Sequence, residues 1–271
     1  MHYGFVIPGG DVEELVEIAQ RIERAGWDAV FVADGVYGTD PWISLAAIAV
    51  RTSHVRIGPL LTPASRRRPW KLASETATLD RLSHGRVILS VGLGAIDTGF
   101  ASVGEQTDRR IRGQLLDESL ELVTKFWSGQ PFRFDGVHYH VEWGTEWSYM
   151  PVQTPRIPTW VVGAWPREKS MQRALRYDGV LVAKMQTDGS FTDSTPTDVQ
   201  AVAGYVREHR IARTPFDIVV EGVTPIGSPE QVDAIIAPLA QAGVTWWIES
   251  MWAEPDRNTV LARIDQGPPR V

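Results

Sequence analysis

The feature that most constrains this chain is a rhythm. Short apolar runs alternate with longer amphipathic segments from one end of the sequence to the other, and the alternation repeats eight times. Apolar runs bounded by Gly, Pro or Asp read as buried strands, and segments with apolar residues three and four apart read as helices. The predicted strands are Tyr3 to Ile7, Ala29 to Ala33, Val55 to Leu61, Arg86 to Val91, Thr159 to Val162, Gly179 to Val182, Asp217 to Glu221 and Val244 to Glu249. The first helix is capped by Asp11, carries Glu13 and Glu14 in its opening turn and is closed by Gly26. Further helices are predicted over Pro41 to Val50, Pro69 to Leu82, Arg112 to Trp127, from Arg167, over Thr197 to His209, after the Ser228-Pro229 start signal, and at the end of the chain.

Strictly alternating strand–helix units imply a parallel sheet, and eight of them imply a closed barrel. The expected fold is an α/β (β/α)8 TIM barrel, a single domain over residues 1–271. The rhythm breaks once, over residues 129–158, where Pro131, Pro151, Pro155 and Pro158 are interleaved with Phe132, Phe134, Tyr139, Trp143, Trp147 and Tyr149. A stretch this irregular inside a compact domain reads as an insertion before the fifth strand, formed by a small hairpin and a lid.

Charge and composition narrow the function. With 27 basic and 33 acidic residues the net charge is −6, which does not suit a nucleic-acid partner. The tightest basic run, Arg66-Arg67-Arg68, is too short for such a tract and is a candidate local anion site. The absence of cysteine removes disulfides, thiolate nucleophiles and cysteine metal sites. None of the six histidines closes a predicted strand, and the His138-Tyr139-His140 pair lacks a third ligand, so no metal is expected. No run approaches the roughly 18 apolar residues of a membrane span. The opening Met1 to Pro8 has no basic region before an apolar run, so a cytoplasmic location is expected. Of eleven tryptophans, Trp42, Trp70, Trp160, Trp165, Trp246, Trp247 and Trp252 fall at strand ends or in loops, where they either line a pocket for a flat ligand or, for most of them, pack helix on strand.

Four ordered blocks carry a resemblance. They are "ERAGWDAVFVAD", "VRIGPLLTPASRRRPWKLASETATLDRLSHGRVILSVGLG", "LDESLELVTKFWSGQPFRFDGVHYHV" and "PRIPTWVVGAWPREKSMQRALRYDGV". Together they resemble the luciferase-like monooxygenase superfamily, most tellingly in the Thr-Pro, basic run, Leu-Asp-Arg-Leu-Ser-x-Gly-Arg and Gly-x-Gly of the second block. The resemblance implies a barrel using FMN or coenzyme F420, with the ring across the C-terminal ends of the second to fourth strands and the phosphate after the fifth.

That implication assigns residues. Gly163, Ala164 and Trp165, followed by Pro166, Arg167 and Lys169, form either a phosphate cradle or an ordinary strand–helix turn, and the resemblance points to the cradle. Gly92 and Gly94 let a flat ring approach the backbone. Leu60, Leu61 and Thr62 match the family's bulge behind the ring, often with a cis peptide that is not prolyl, and Thr62 is placed to bond the ring's polar edge. Asp34 either reaches the cofactor or caps its loop. Gly35 stands where the family commonly has His, and Ala95 where its sugar-phosphate enzymes carry Glu, which argues against that subtype. Substrate-pocket candidates are Tyr37, Trp42, Arg66, Asp97, Lys184 and Glu249. No acid–base pair stands out, as expected where a cofactor does the chemistry. The leading expectation is an FMN-dependent oxidoreductase or monooxygenase for a small organic substrate, a homodimer served by a separate flavin reductase. An F420-dependent hydride-transfer enzyme and a non-catalytic flavin-binding protein are the alternatives.

Overall fold

The computed structural model describes residues 1–95, 99–253 and 256–269. In chain order the elements are β1 (His2–Ile7), α1 (Val12–Arg24), β2 (Ala29–Val32), α2 (Pro41–Arg51), β3 (Arg56–Pro59), β4 (Thr62–Pro63), α3 (Pro69–Leu82), β5 (Leu89–Gly92) and α4 (Arg109–Trp127). There follow β6 (Phe132–Asp135), β7 (His140–Trp143), β8 (Thr159–Trp165), α5 (Glu168–Ala174), β9 (Gly179–Met185), β10 (Phe191–Thr192), α6 (Pro196–His209), β11 (Asp217–Gly222), α7 (Pro229–Ala242), β12 (Trp246–Ser250) and α8 (Arg257–Asp265). Among the described residues no helix is long and apolar enough to cross a membrane.

The parallel sheet runs β3-β2-β1-β12-β11-β9-β8-β5. A bridge between Ile57 and Val87, with Ile57 N donating to Arg86 O and Ile88 N to Ile57 O, joins its two ends into a barrel. Gly58 sits at this seam. A Cβ there would lie 2.1 Å from the Ile88 carbonyl oxygen, so only glycine lets the two strands meet. Beyond Pro59 the chain leaves the sheet, passes through a cis Leu60–Leu61 peptide and returns as β4 beside β5. The expected bulge is therefore present, cis bond included.

Strand alternation divides the core in two. Val6, Ala29, Phe31, Leu60, Ile88, Trp160, Leu181, Val219, Trp246 and Ile248 fill the barrel interior, and their neighbours in sequence point outward to pack under the helices. Helices begin on the C-terminal side of the strands, where Asp11, Asp40, Asp108 and Asp256 each accept a backbone N–H of the first turn. Thr195 and Asp198 form a reciprocal capping box on α6. Ser228, expected to cap α7, makes no such side-chain bond.

Several boundaries moved, three of them at the mouth of the barrel. The strand predicted to end at Val162 runs on to Trp165, the one predicted to end at Val182 runs on to Met185, and α4 begins at Arg109 rather than Arg112. Small or charged residues at strand ends resemble a turn in sequence but here keep their sheet partners, Gly163 opposite Val182 and Trp165 opposite Lys184.

The insertion at 129–158 contains the expected hairpin, β6 antiparallel to β7. Phe132, Trp143 and Trp147 surround Phe126 of α4, and Glu118 of the same helix accepts the backbone N–H groups of Val137, His138 and Tyr139. Farther on, Asp80 of α3 accepts those of Val152 and Gln153. The segment is thus fastened to the outside of α3 and α4. No residue of it lines the cavity described next, which corrects the lid expectation.

Candidate active site

A cavity of about 500 Å3 opens at the C-terminal ends of the barrel strands. Its wall on the β3–β5 side is apolar: Leu60, Leu61, Pro63, Gly92, Leu93 and Gly94. Val162, Ala164, Leu181, Val182 and Ala183 continue it around β8 and β9. Polar groups are few and spaced apart, namely Asp34 after β2, Arg109 on α4, Ser170 and Arg173 on α5, and Glu221 on β11. A large, mostly apolar cleft with a few convergent polar groups is the usual form of a small-molecule site.

Gly92 keeps the β5 wall low. A Cβ there would meet Val162 Cγ2 at 2.9 Å and the Leu61 methyls at 3.1 and 3.2 Å, filling the crevice between two cavity-lining side chains. Gly94 has φ +74°, and a Cβ would lie 2.7 Å from Pro63 Cγ. Both glycines and both leucines therefore stand where the sequence reading put them. A flat ring with apolar faces fits this wall.

Asp34 lies at the rim with its side chain almost wholly buried. Arg66 donates from Nη2 to its Oδ1 at 3.0 Å and to its carbonyl at 2.7 Å, and Arg67 reaches Oδ2 at 3.0 Å. Burial pushes the Asp34 carboxyl above its ordinary pKa, while Arg67, Arg66 and the Thr62 hydroxyl hold it down. The basic run is thus not a free anion site. Arg66 and Arg67 are engaged by Asp34, with Glu75 3.6 Å from Arg67, and Arg68 lies over the Trp70 ring.

Strand parity decides the other placements. On β8, Ala164 faces the cavity, whereas Gly163 and Trp165 face outward, and Trp165 packs on Tyr205 of α6. The Ala164 N–H donates to Ser170 Oγ at 2.9 Å, and Ser170 Oγ in turn donates to the Val162 carbonyl, while α5 starts at Glu168 without a side-chain cap. Thr62 is fully buried against Asp34 and does not line the cavity. Lys184 points outward to Asp198 of α6 at 2.7 Å.

Glu249, on the outward face of β12, is fully buried beneath α8 and accepts from Thr224 N, Thr224 Oγ1, Trp247 Nε1 and Arg263 Nη2. Trp42 is buried in α2 below Arg67. Tyr37 is 85% exposed and, with Arg66, borders a neighbouring crevice of about 320 Å3 that shares Asp34 and Gly35 with the main cavity. Asp97 lies outside the described residues.

Three charged cavity residues were not foreseen: Glu221, Arg173 and Arg109. Glu221, inward-facing by alternation from Val219, accepts from Trp252 Nε1 at 3.0 Å, and burial raises its pKa against the pull of Trp252 and Ser250. Its signal was available, as the carboxylate closing the seventh strand. Arg173 is held by Asp117 at 2.7 Å. Arg109, at the first turn of α4, reaches across to Met185 Sδ, which Arg167 approaches from the other side at 3.4 Å. Among the described residues neither Arg109 nor Arg167 pairs with an acidic side chain. These two guanidinium groups form a cationic rim at the β9 edge of the mouth.

The mouth of the barrel thus combines an apolar wall with two neighbouring guanidinium groups at its β9 edge. The family model described as luciferase-like monooxygenase matches residues 4–220, and the chain belongs to that family. An F420-dependent glucose-6-phosphate dehydrogenase of Gordonia bronchialis is 33% identical over 171 residues, 58% of this chain but only 48% of that protein's length. The oxygenase component of a flavin-dependent trigonelline monooxygenase from Acinetobacter baylyi is 27% identical over 57% of this chain and 44% of its own. In fold, the chain matches the coenzyme F420-dependent tetrahydromethanopterin reductase of Methanopyrus kandleri with a TM-score of 0.80 at 18% identity, covering 98% of this chain and 97% of that one. The chain thus spans about half the length of these curated relatives. Oxidoreductases of both kinds, F420-dependent and flavin-dependent, are among its relatives.

Proposed function

We propose that this chain is an F420-dependent oxidoreductase acting on a small, largely uncharged organic molecule. The observation that carries the reading is the cationic rim. Arg109 and Arg167 converge on Met185 Sδ at the mouth, and among the described residues neither has an acidic partner. Two such neighbouring guanidinium groups suit the anionic tail of a cofactor. The F420-dependent relatives support this choice over the FMN expectation.

When bound, the deazaflavin supplies or accepts a hydride. The chain contributes position and environment. Leu60, Leu61, Gly92 and Gly94 would carry the ring's apolar face, Arg109 and Arg167 would hold the tail, and Asp34, fixed by Arg66 and Arg67, closes the rim near the ring edge. A homodimer is the expected assembly.

A second reading keeps FMN and monooxygenation, favoured by the flavin-dependent relative, and requires a separate flavin reductase. Anaerobic titration with F420 and FMN in parallel separates the two. F420 is expected to bind at least about tenfold tighter, a difference of roughly 1.4 kcal/mol. Tighter FMN binding transfers the protein to the monooxygenase reading, and binding of neither removes the cofactor assignment.

A further inference from the structure

We propose that Glu221, with the Trp252 indole that holds it, is the substrate-recognition end of the cavity, selecting alcohols and amines and rejecting anionic substrates such as phosphorylated sugars. The inference deepens the proposed function and rests on its placing the cofactor against the β3–β5 wall.

The barrel order puts the two ends apart. Around the ring of eight strands, β11 lies four strands from β3, and β12 four strands from β5. Glu221 at the end of β11 and Trp252 after β12 therefore face the apolar wall from the opposite side of the mouth. A ligand lying between them touches the cofactor on one side and this carboxylate on the other.

The charged groups lining the cavity are not equivalent. Asp34 is matched by two guanidinium groups at 3.0 Å, and Arg173 by Asp117 at 2.7 Å. Glu221 has neutral donors, the Trp252 indole and the Ser250 hydroxyl, and no ion pair to a cation is present at it among the described residues. A half-buried carboxylate without a counter-charge gains from a ligand that brings a donor or a positive charge, and it repels an anion where the apolar walls limit screening. Arg109, which among the described residues has no acidic partner, lies on the cofactor side beside Met185, while Val182, Leu181 and Ala183 near Glu221 offer no compensating group, so with F420 bound discrimination at this end falls to Glu221.

Calorimetric titration near pH 8 tests this with four probes, cyclohexanol, cyclohexylammonium, cyclohexanecarboxylate and glucose 6-phosphate, on the protein with and without F420. The alcohol and the ammonium are expected to bind at least about tenfold tighter than either anion. Glu221→Gln is expected to remove the ammonium–carboxylate gap while leaving F420 affinity unchanged and cyclohexanol within about threefold. Equal binding of the charged probes by the native protein, a gap that survives the substitution, tight glucose 6-phosphate binding, or no binding of any probe overturns the proposal. Failure to bind F420 with the charge preference intact would instead sink the cofactor reading alone.

Discussion

Glu249→Gln distinguishes a wall of the barrel from a wall of the cavity. Glu249 closes the eighth strand much as Glu221 closes the seventh, yet its side chain turns the other way and is fully buried. Its four partners all donate: Thr224 N at 2.6 Å, Thr224 Oγ1 at 2.7 Å, Arg263 Nη2 at 3.1 Å and Trp247 Nε1 at 3.2 Å. An amide in its place turns an NH2 towards donors and leaves Arg263, itself about 1% exposed, charged without a counter-ion. Removing one partner of a buried pair costs about 3–5 kcal/mol. For a chain of this size that lowers the melting temperature by roughly 10 °C. Urea unfolding would read the stability, and titration of the folded protein would read cofactor affinity, expected within about twofold of the native value. Replacing both partners, Glu249→Leu with Arg263→Met, should recover most of the loss, because the buried charges vanish together. A loss below about 1 kcal/mol, or a selective collapse of cofactor affinity, would refute the assignment.

Three further outcomes follow from the geometry. Gly58→Ala should destabilise the barrel by about 3 kcal/mol, since its Cβ meets the Ile88 carbonyl at 2.1 Å and neither backbone can yield without opening the seam; urea unfolding reads it directly. The Glu221 carboxyl, raised above 4.5 chiefly by burial, binds its proton more tightly in the folded chain than in the unfolded one. Stability at this site is therefore full at low pH and lost as pH rises through the folded pKa, so Glu221→Gln should gain stability relative to the native protein as pH rises above the ordinary carboxylate range; a difference that shrinks with rising pH contradicts the sign. Glu118→Ala should loosen the 136–140 turn of the insertion, seen as faster limited proteolysis there, with cofactor affinity unchanged because the hairpin lies outside the mouth.

The fold was legible because hydrophobic periodicity marks every unit and cap chemistry agrees at α1, α2, α4, α6 and α8. The helix expected from Pro69 to about Leu82 spans Pro69–Leu82, and the Thr-Pro and Gly-x-Gly blocks lie at the bulge and the low wall. The site was legible only where strand phase could be ignored. Leu60, Leu61, Gly92, Gly94, Ala164 and Asp34 line the cavity, whereas Gly163, Trp165, Lys184 and Glu249 stand one residue out of phase and face the helices. Period-two alternation could have sorted them, since Trp246 and Ile248 point inward and so exclude Glu249, while Val219 pointing inward selects Glu221. Arg109 lay beyond such reasoning, whereas Arg167 had been expected beside the phosphate turn. Their convergence on Met185 brings α4 and the β8–α5 turn together along the neighbouring strands β5, β8 and β9, a meeting set by the sheet order.

The central claim, a deazaflavin at the barrel mouth with its anionic tail on Arg109 and Arg167, is tested most directly by comparing F420 with its tail-less deazaflavin chromophore. Affinities would be measured for the native chain and for Arg109→Ala with Arg167→Ala. The account predicts that the double substitution weakens F420 binding at least about tenfold, removes most of its salt dependence and leaves the tail-less chromophore bound as before. Equal F420 affinity in the two proteins, or a parallel loss for both ligands, would contradict it.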